Sequence, residues 1–236
     1  MKNETIVGIH QPEHLPWLGF FNKISQSNIF VLLDNVQYEK NYFQNRNRIR
    51  TKDGCVWLTV PVLTAGKQSQ LIKDVKIDNT KNWCEKHWKT ISYSYGNAPF
   101  FGRYSGFFKK NYGKKWNHLA KLNESIIKHM IKELGIRVKL VRASDLDVHG
   151  SSTDLLLDIC KKLDADTYLS GVSGRDYLEE NKFKKENIKV MYQDFHHPTY
   201  PQQFKPFVSN MSAIDLLFNC GKDSLSILKC EKKVCA

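Results

Sequence analysis

The chain has 236 residues, and its 36 Lys and Arg against 24 Asp and Glu give a formal net charge of +12. This excess favours an anionic partner, such as a nucleotide diphosphate, phosphopantetheine, RNA or an acidic membrane surface, although dispersed lysine pairs also fit a basic, solvated surface. Hydrophobic residues make up 41% and charged residues 25%, an ordinary balance for a globular protein with one sizeable core. No apolar run approaches the roughly 18 residues of a membrane span, and the first residues contain no signal-peptide core. We therefore expect a cytoplasmic protein.

The first predicted elements are a strand, a short helix and a second strand. Residues 5–9 form a short run rich in Ile and Val, and residues 29–33 form another; both patterns are typical of buried strands. After Pro16, aromatic and apolar residues recur at helical spacing, which predicts a helix to about Ser27. Strand, helix and strand in this order indicate a βαβ unit with parallel strands.

Strands and helices continue to alternate along the rest of the chain. Further strands are predicted over residues 56–60, 71–77 (as an extra edge strand), 138–143, 166–169 and 188–192. Helices are predicted over residues 80–95, 97–112, 116–134, 151–163, 175–181 and 213–218. This alternation predicts a single Rossmann-like α/β domain over residues 1–221, with a mostly parallel sheet and helices on both faces. Residues 222–236 are expected to form a charged, helical tail.

Polar side chains follow the first two predicted strands. His10 and Gln11 end the first strand, His14 comes four residues after His10, and Asp34 and Gln37 follow the second strand. Carboxyl ends of parallel strands open onto one crevice, so we predict a site there with His10, Asp34 and His14 as catalytic candidates. Asp34 could orient an imidazole, bind a sugar hydroxyl or act as a base. Structural loop contacts for the histidines and a turn role for Asp34 are the alternatives.

A basic segment provides a second candidate for substrate binding. Asn45, Arg46, Asn47 and Arg48 alternate amides with guanidinium groups. On an extended backbone Arg46 and Arg48 point to the same side, where they could clamp a phosphate or a carboxylate. The alternative is an exposed strand edge with solvated arginines.

A turn rich in small residues follows the strand predicted over residues 166–169. The residues predicted to contact an anion are Ser170, Gly171, Ser173 and Gly174 of this turn, together with Tyr177. Backbone amides at such a turn can hold a phosphate or an oxyanion, whereas the Gly-x-Ser-x-Gly pattern of a serine nucleophile is missing. Asp215 and Asn219 share one face of a later predicted helix and are expected to brace the site loop.

Cysteine and histidine spacing gives no sign of a metal site. The chain has six cysteines, at positions 55, 84, 160, 220, 230 and 235, without a Cys-x-x-Cys pair or zinc-type Cys/His spacing. His196 and His197 are adjacent, so on an extended segment they face opposite ways. Cys55 and Cys220 have no activating neighbours in sequence, so we expect no catalytic thiol. No metal ligand is predicted from these residues, and the cofactor is left open.

Several segments, in order, resemble one protein family. They are I-H-Q-P at 9–12, L-P-W-L-G-F-F-N-K-I at 15–24, L-D-N-V-Q at 33–37, Q-N-R-N-R-I at 44–49, W-L-T-V-P-V at 57–62 and S-A-I-D-L-L-F-N-C-G at 212–221. From about residue 5 to residue 221 the chain resembles the WbqC-like protein family. The resemblance implies a setting among genes for O-antigen and other surface-polysaccharide synthesis.

The candidate site residues, together with the genetic setting that the family resemblance implies, predict a cytoplasmic transferase of surface-polysaccharide biosynthesis. The predicted reaction moves an acyl or aminoacyl group to the amine of a nucleotide-linked amino sugar. His10 is the candidate base, Arg46 and Arg48 would hold the diphosphate, and amides of the 170–174 turn would stabilise the oxyanion. The donor is open between a small acyl donor, a carrier protein and an aminoacyl-tRNA.

Two other functions fit parts of the sequence. His10 and His14 resemble the His-x-x-His of nucleotidyltransferase-type α/β folds, which would make the chain a Mg²⁺-dependent nucleotidyl- or adenylyltransferase. The spacing here is His-x-x-x-His, however, and no glycine loop precedes it. An accessory module that binds RNA, a lipid carrier or another anion would use the positive charge, and its affinity would fall steeply with salt.

A thiol titration tests the predicted redox state. Because a reducing cytoplasm keeps thiols free, the freshly purified, denatured protein should react as six free thiols per chain. Six free thiols per chain are expected without added reductant as well, and a lower count would contradict the predicted redox state.

Overall fold

A computed structural model describes residues 4–67 and 69–230. Its strands are β1 (Ile6–His10), β2 (Ile29–Leu32), β3 (Arg46–Thr51), β4 (Gly54–Thr59), β5 (Lys139–Arg142), β6 (Thr167–Ser170) and β7 (Lys189–Tyr192). Its helices are α1 (Leu18–Ser25), α2 (Trp83–Tyr95), α3 (Phe101–Tyr112), α4 (Leu119–Glu133), α5 (Ser152–Lys162), α6 (Glu180–Lys185), α7 (Ala213–Cys220) and α8 (Ser224–Leu228). Short 3₁₀ segments cover Ile72–Asp74, Ala143–Asp145, Val172–Asp176 and Gly221–Asp223.

The described chain divides into two units. The first unit takes the described part of Met1–Gln11 together with Asn22–Asn35 and Arg137–Phe195. The second takes Pro12–Phe21 and the described parts of Val36–Ile136 and His196–Ala236.

The first unit contains a five-stranded parallel sheet. The strand order is β5-β2-β1-β6-β7, and each neighbouring pair is parallel. β1 is central, pairing Gly8 with Phe30 of β2 and with Leu169 of β6. The flanked parallel sheet confirms the predicted α/β, Rossmann-like fold class.

Burial explains why these short segments form strands. All four residues of β6 are buried, and so are the three central residues of β1. Strands covered on both faces are mostly apolar, as Ile6, Val7 and Ile9 make β1, whereas β6 buries Thr167 and Ser170 beside Tyr168 and Leu169. Gly8 is small because a Cβ atom there would lie 2.3 Å from Ser27 Oγ and 3.0 Å from Phe30.

The second unit combines an antiparallel hairpin with helices. β3 and β4 form a two-stranded sheet in which Arg48 pairs with Trp57 and Arg46 with Thr59. Phe218 of α7 lies with its ring centroid 5.2 Å from Tyr95, 5.2 Å from Phe101 and 5.6 Å from Phe108. Aromatic packing of this kind stabilises the contact of α7 with α2 and α3.

Two predicted elements are wrong. The predicted strand over residues 71–77 is a 3₁₀ turn at Ile72–Asp74, with isolated bridges that join Gln37 to Leu71 and Val62 to Ile77. Its apolar side chains are buried without a ladder of backbone bonds, so alternating hydrophobicity did not mean a strand. The predicted helix over residues 175–181 is a 3₁₀ turn at Val172–Asp176, and α6 begins only at Glu180.

The charged, helical tail expected over residues 222–236 stays a prediction. α8 provides helical structure at Ser224–Leu228, and residues 231–236 lie outside the described residues. The division into one domain and a tail stays a prediction. None of the helices in the described ranges combines the length and the apolar composition needed to cross a bilayer.

Substitution of Gly8 tests the tight packing between β1 and its neighbours. Gly8→Ala should lower the free energy of unfolding by about 1–3 kcal/mol, because the added methyl group overlaps Ser27. Gly106→Ala, within α3 and with no atom near its Cβ position, is the matched control. It should stabilise by about 0.5–1 kcal/mol. Urea denaturation measures both, and equal effects would contradict the packing argument.

Candidate functional site

Three of the predicted site residues lie at one edge of the parallel sheet in the first unit. His10 is the last residue of β1, where it pairs with Leu32 of β2. Asp34 follows β2 by two residues, and Ser170 ends β6, the other neighbour of β1. The prediction that strand ends bring these side chains to one edge is therefore met within this unit. Arg46, predicted for the same crevice, belongs to the second unit.

His10 is held as a neutral imidazole. The ring is half-buried, and Nδ1 lies 3.0 Å from the carbonyl oxygen of Gln11. Since a carbonyl only accepts, Nδ1 donates and the lone pair lies on Nε2. Burial and, second, the nearby charge of Lys23 lower the pKa of His10 to about 4, while the bond to Gln11 raises it. At neutral pH His10 can accept a proton.

Lys23 is a residue that sequence reasoning missed. Its side chain is 2% exposed, and Nζ donates a 2.7 Å hydrogen bond to the carbonyl oxygen of Ile9. That carbonyl belongs to the peptide group joining Ile9 to His10, so the amine lies beside the end of β1. Burial lowers the pKa of Lys23 to about 7. α1 also contains the polar residues Asn22 and Ser25, so the sequence carries no clear signal that Lys23 is buried.

Asp34 has a structural partner at the sheet edge. Its Oδ1 accepts a 2.9 Å bond from the amide of Ser144, and Oδ2 accepts a 2.7 Å bond from the Ser144 hydroxyl. The buried carboxyl thereby ties the segment after β2 to the turn after β5. The catalytic role of Asp34 stays a prediction, and a substrate contact would compete with these two hydrogen bonds.

The turn after β6 differs from the predicted helix start. Ser170 is buried, and a Cβ atom on Gly174 would lie 2.1 Å from its Oγ. The amide of Gly174 donates to the carbonyl oxygen of Gly171, so it is already used within the 3₁₀ turn. Ser173 and Tyr177 are exposed. Anion binding at this turn stays a prediction. No α-helix begins within the turn, since α6 begins only at Glu180, so a helix N-terminus does not support it.

The second unit holds what we call the arginine cluster, Arg46, Arg48 and Trp57. Cζ of Arg46 lies 4.6 Å and Cζ of Arg48 lies 5.6 Å from the centroid of the Trp57 ring. Both guanidinium groups thus contact the same indole, as the extended backbone of β3 requires. Neither forms an ion pair with a carboxylate of residues 4–67 or 69–230, and Nε of each has no hydrogen-bond partner there. Trp57 is 42% exposed.

The amides that alternate with these arginines brace the hairpin. Asn45 Nδ2 donates a 2.9 Å hydrogen bond to the carbonyl oxygen of Val60, and Asn47 Oδ1 accepts a 2.9 Å hydrogen bond from the amide of Arg48. Both side chains are buried.

Of the two glutamines predicted for substrate binding, Gln11 is half-buried, while Gln37 is exposed and forms an isolated β-bridge with Leu71.

His14 lies in a buried aromatic cluster of the second unit. Its Nδ1 is 3.3 Å from Asn123 Oδ1, and its Nε2 accepts from the Tyr112 hydroxyl at 3.3 Å. Burial, followed by the charge of His87, holds the pKa of His14 well below its usual range, and burial lowers the pKa of His87 to about 4. Both imidazoles are therefore neutral at physiological pH. The contacts with Asn123 and Tyr112 give His14 a packing role in addition to its predicted catalytic role.

Glu13 is the second titratable residue that sequence reasoning missed. The side chain is 4% exposed, and its Oε2 has no hydrogen-bond partner within the described chain. Burial raises the pKa of Glu13 to about 8. The neighbouring backbone is fixed, because the amide of His14 donates a 3.0 Å hydrogen bond to the carbonyl oxygen of Phe43.

Asp215 holds a loop, whereas the Asn219 side chain bonds within its own helix. Asp215 Oδ2 accepts 2.8 Å hydrogen bonds from the Tyr200 hydroxyl and from Gln202 Nε2. Asn219 Nδ2 donates a 2.8 Å hydrogen bond to the carbonyl oxygen of Asp215 in α7. Burial raises the pKa of Asp215. That the two residues brace the site loop stays a prediction.

The described chain contains neither a metal-type cluster nor a disulfide. Within residues 4–67 and 69–230, no group of three or more His, Cys, Asp or Glu side chains is arranged to hold a metal ion. The five cysteines of this part of the chain, at positions 55, 84, 160, 220 and 230, are unpaired. Cys235 lies outside the described residues.

Comparison with known proteins gives two matches. The profile of the WbqC-like protein family matches residues 11–227. An uncharacterized protein of Mycobacterium tuberculosis, Rv1507c, is 32% identical over 225 residues, which cover 94% of this chain and 97% of the relative. No solved structure matches the chain.

The pH dependence of stability tests the buried state of Lys23. Its pKa is about 7 in the folded protein and 10.5 in the unfolded chain, so the unfolded state binds more protons between these values. The folded state should gain stability as pH rises from 7 to 10.5, by about 1.4 kcal/mol per pH unit at most. Lys23→Met should lose this rise, as measured by urea denaturation at several pH values.

Lys86→Met provides the matched control, because Lys86 is exposed on α2. This variant should keep the pH dependence of the wild-type protein. Parallel curves for the wild type and Lys23→Met would contradict the assignment.

Proposed function

The chain belongs to the WbqC-like protein family, and from that premise we propose that it is a cytoplasmic transferase of surface-polysaccharide biosynthesis. The family associates the chain with polysaccharide gene clusters. The proposed reaction moves an acyl or aminoacyl group to the amine of a nucleotide-linked amino sugar. Substrate binding and proton transfer are supported by separate observations in the two units.

The arginine cluster is the observation that carries the proposal. Two guanidinium groups contact one exposed indole, and no carboxylate of the described chain neutralises them. Uncompensated, closely spaced guanidinium groups attract a phosphate or diphosphate through charge-assisted bonds. The formal net charge of +12 adds long-range attraction for an anionic substrate. A nucleotide diphosphate is the anion that fits the family's setting.

His10 supplies the proposed proton acceptor. In the reaction, the amine nitrogen attacks the carbonyl carbon of the donor, and a C–N bond forms while one amine proton passes to His10 Nε2. The bond from the carbonyl carbon to the sulfur or oxygen of the donor then breaks, and the leaving group takes a proton. With a pKa of about 4, His10 is unprotonated at neutral pH and releases an accepted proton readily.

The oxyanion and the donor complete the proposal. Backbone amides of the 170–174 turn, other than that of Gly174, which donates to Gly171, are candidates for stabilising the oxyanion that forms during attack. The donor is an activated acyl group, carried by a small thioester, a carrier protein or an aminoacyl-tRNA.

A thermal-shift screen with Arg46 variants tests the proposal. Nucleoside diphosphate sugars should raise the melting temperature of the wild type, because a ligand of the folded state stabilises it by mass action. Arg46→Lys should weaken this binding by about tenfold to a hundredfold, since an ammonium group cannot copy the planar fork. Without ligand its melting temperature should hardly change, because a half-buried arginine contributes little to folding.

Arg103→Lys is the control. Cζ of Arg103 also lies over a ring, 5.4 Å from the centroid of Tyr104, but the side chain is exposed on α3. Its binding of nucleotide sugars should match the wild type. Unchanged affinity in Arg46→Lys, or no shift with any nucleotide sugar, would refute the proposal.

A further inference from the structure

A buried carboxyl group in the second unit has no role in the reaction as written above. Glu13 is almost completely buried, and Oε2 has no hydrogen-bond partner among the described residues. Buried polar atoms are nearly always hydrogen-bonded, because an unmet bond costs the full desolvation of the group. An orphaned carboxyl oxygen therefore indicates a partner that the chain itself does not supply.

The backbone beside Glu13 is bonded to the residue that contacts the arginine cluster. The amide of His14, the residue after Glu13, donates a 3.0 Å hydrogen bond to the carbonyl oxygen of Phe43. The neighbouring Tyr42 is 46% exposed, and burial, followed by the charges of Glu13 and Glu39, raises the pKa of its hydroxyl. The Tyr42 ring lies 5.3 Å from the Phe43 ring, and the Phe43 ring lies 6.0 Å from that of Trp57. A continuous row of aromatic rings thus leads from the neighbourhood of Glu13 to the arginine cluster.

The groups at the two ends of this row both lack a partner. Glu13, with a pKa of about 8, is mostly uncharged at neutral pH until a cationic partner stabilises its ionised form. No Lys or Arg of the described chain pairs with Glu13, and burial alone shifts its pKa upwards. At the other end, Arg46 and Arg48 have no carboxylate partner. A ligand that complements both ends carries an anionic group and, separated from it, a cationic or hydrogen-bond-donating group.

We propose that Glu13 recognises the amine of the acceptor sugar. Oε2 accepts an N–H bond from the amine, while the phosphates of the same ligand contact Arg46 and Arg48. The ammonium form pairs with the ionised carboxylate, and the neutral amine donates to it through an N–H. The inference rests on the proposed function, since it names the group that distinguishes an amino sugar from a sugar with only hydroxyl groups.

A paired-ligand titration tests this assignment. The probes are nucleoside diphosphate hexoses with an amine at carbon 2, 3 or 4, each paired with the analogue that has a hydroxyl group there. The wild type should bind at least one amine about tenfold to a hundredfold more tightly than its hydroxyl analogue in isothermal titration calorimetry. Glu13→Gln should lose this preference and keep the affinity for the hydroxyl analogue.

Glu39→Gln is the matched control, because Glu39 is exposed and its charge also acts on Tyr42. It should retain the preference for the amine. Should Glu13→Gln not fold, Glu13→Asp replaces it, since the shorter side chain withdraws the carboxylate and must reduce the same preference.

The outcomes separate the two proposals. Binding of the nucleotide sugars without a preference for the amine, or a preference that survives in Glu13→Gln, would overturn the role of Glu13 and leave the anion site in place. Failure of every nucleotide sugar to bind would overturn both.

Discussion

The parallel pairing of β1 with both β2 and β6 determines what the sheet edge can present. The register sets His10 opposite Leu32, and Gly8 opposite Leu169, so the ends of three strands fall at one level. A shift by one residue would turn every side chain of β1 to the other face. A larger residue at Gly8 would displace the side chains of Ser27 and Phe30. Lys23 secures the same strand end through the carbonyl oxygen of Ile9.

Burial moves the titratable groups of the interior in one direction, towards the uncharged form. The pKa values of His10 and Lys23 fall, and that of Glu13 rises, with burial as the largest cause in each case. A buried charge without a counter-charge is expensive, so neutralisation is the cheaper state. Groups held in this way change protonation readily when a charged ligand arrives. Perturbed pKa values of this kind are more frequent at functional sites than elsewhere.

Hydrophobic runs were sufficient to predict the sheet, because strands buried on both faces are apolar at nearly every position. The same signal failed for residues 71–77, where Ile72, Val75 and Ile77 are buried by packing without a strand ladder. Lys23 and Glu13 escaped prediction for a different reason. Lysine and glutamate are mostly exposed, and only the three-dimensional packing of their neighbours reveals that these two are buried.

The arginine cluster illustrates the same limit. The alternation of Arg46 and Arg48 in β3 predicted two guanidinium groups on one side, but Trp57 entered only through the register of the hairpin. Contact with the indole matters because a flexible arginine loses rotamer freedom when it binds an anion. Trp57 contacts both guanidinium groups, so an anion bound as proposed would lose less of its binding energy to ordering them. A solvated strand edge with the same two arginines and no indole would lack this preorganisation.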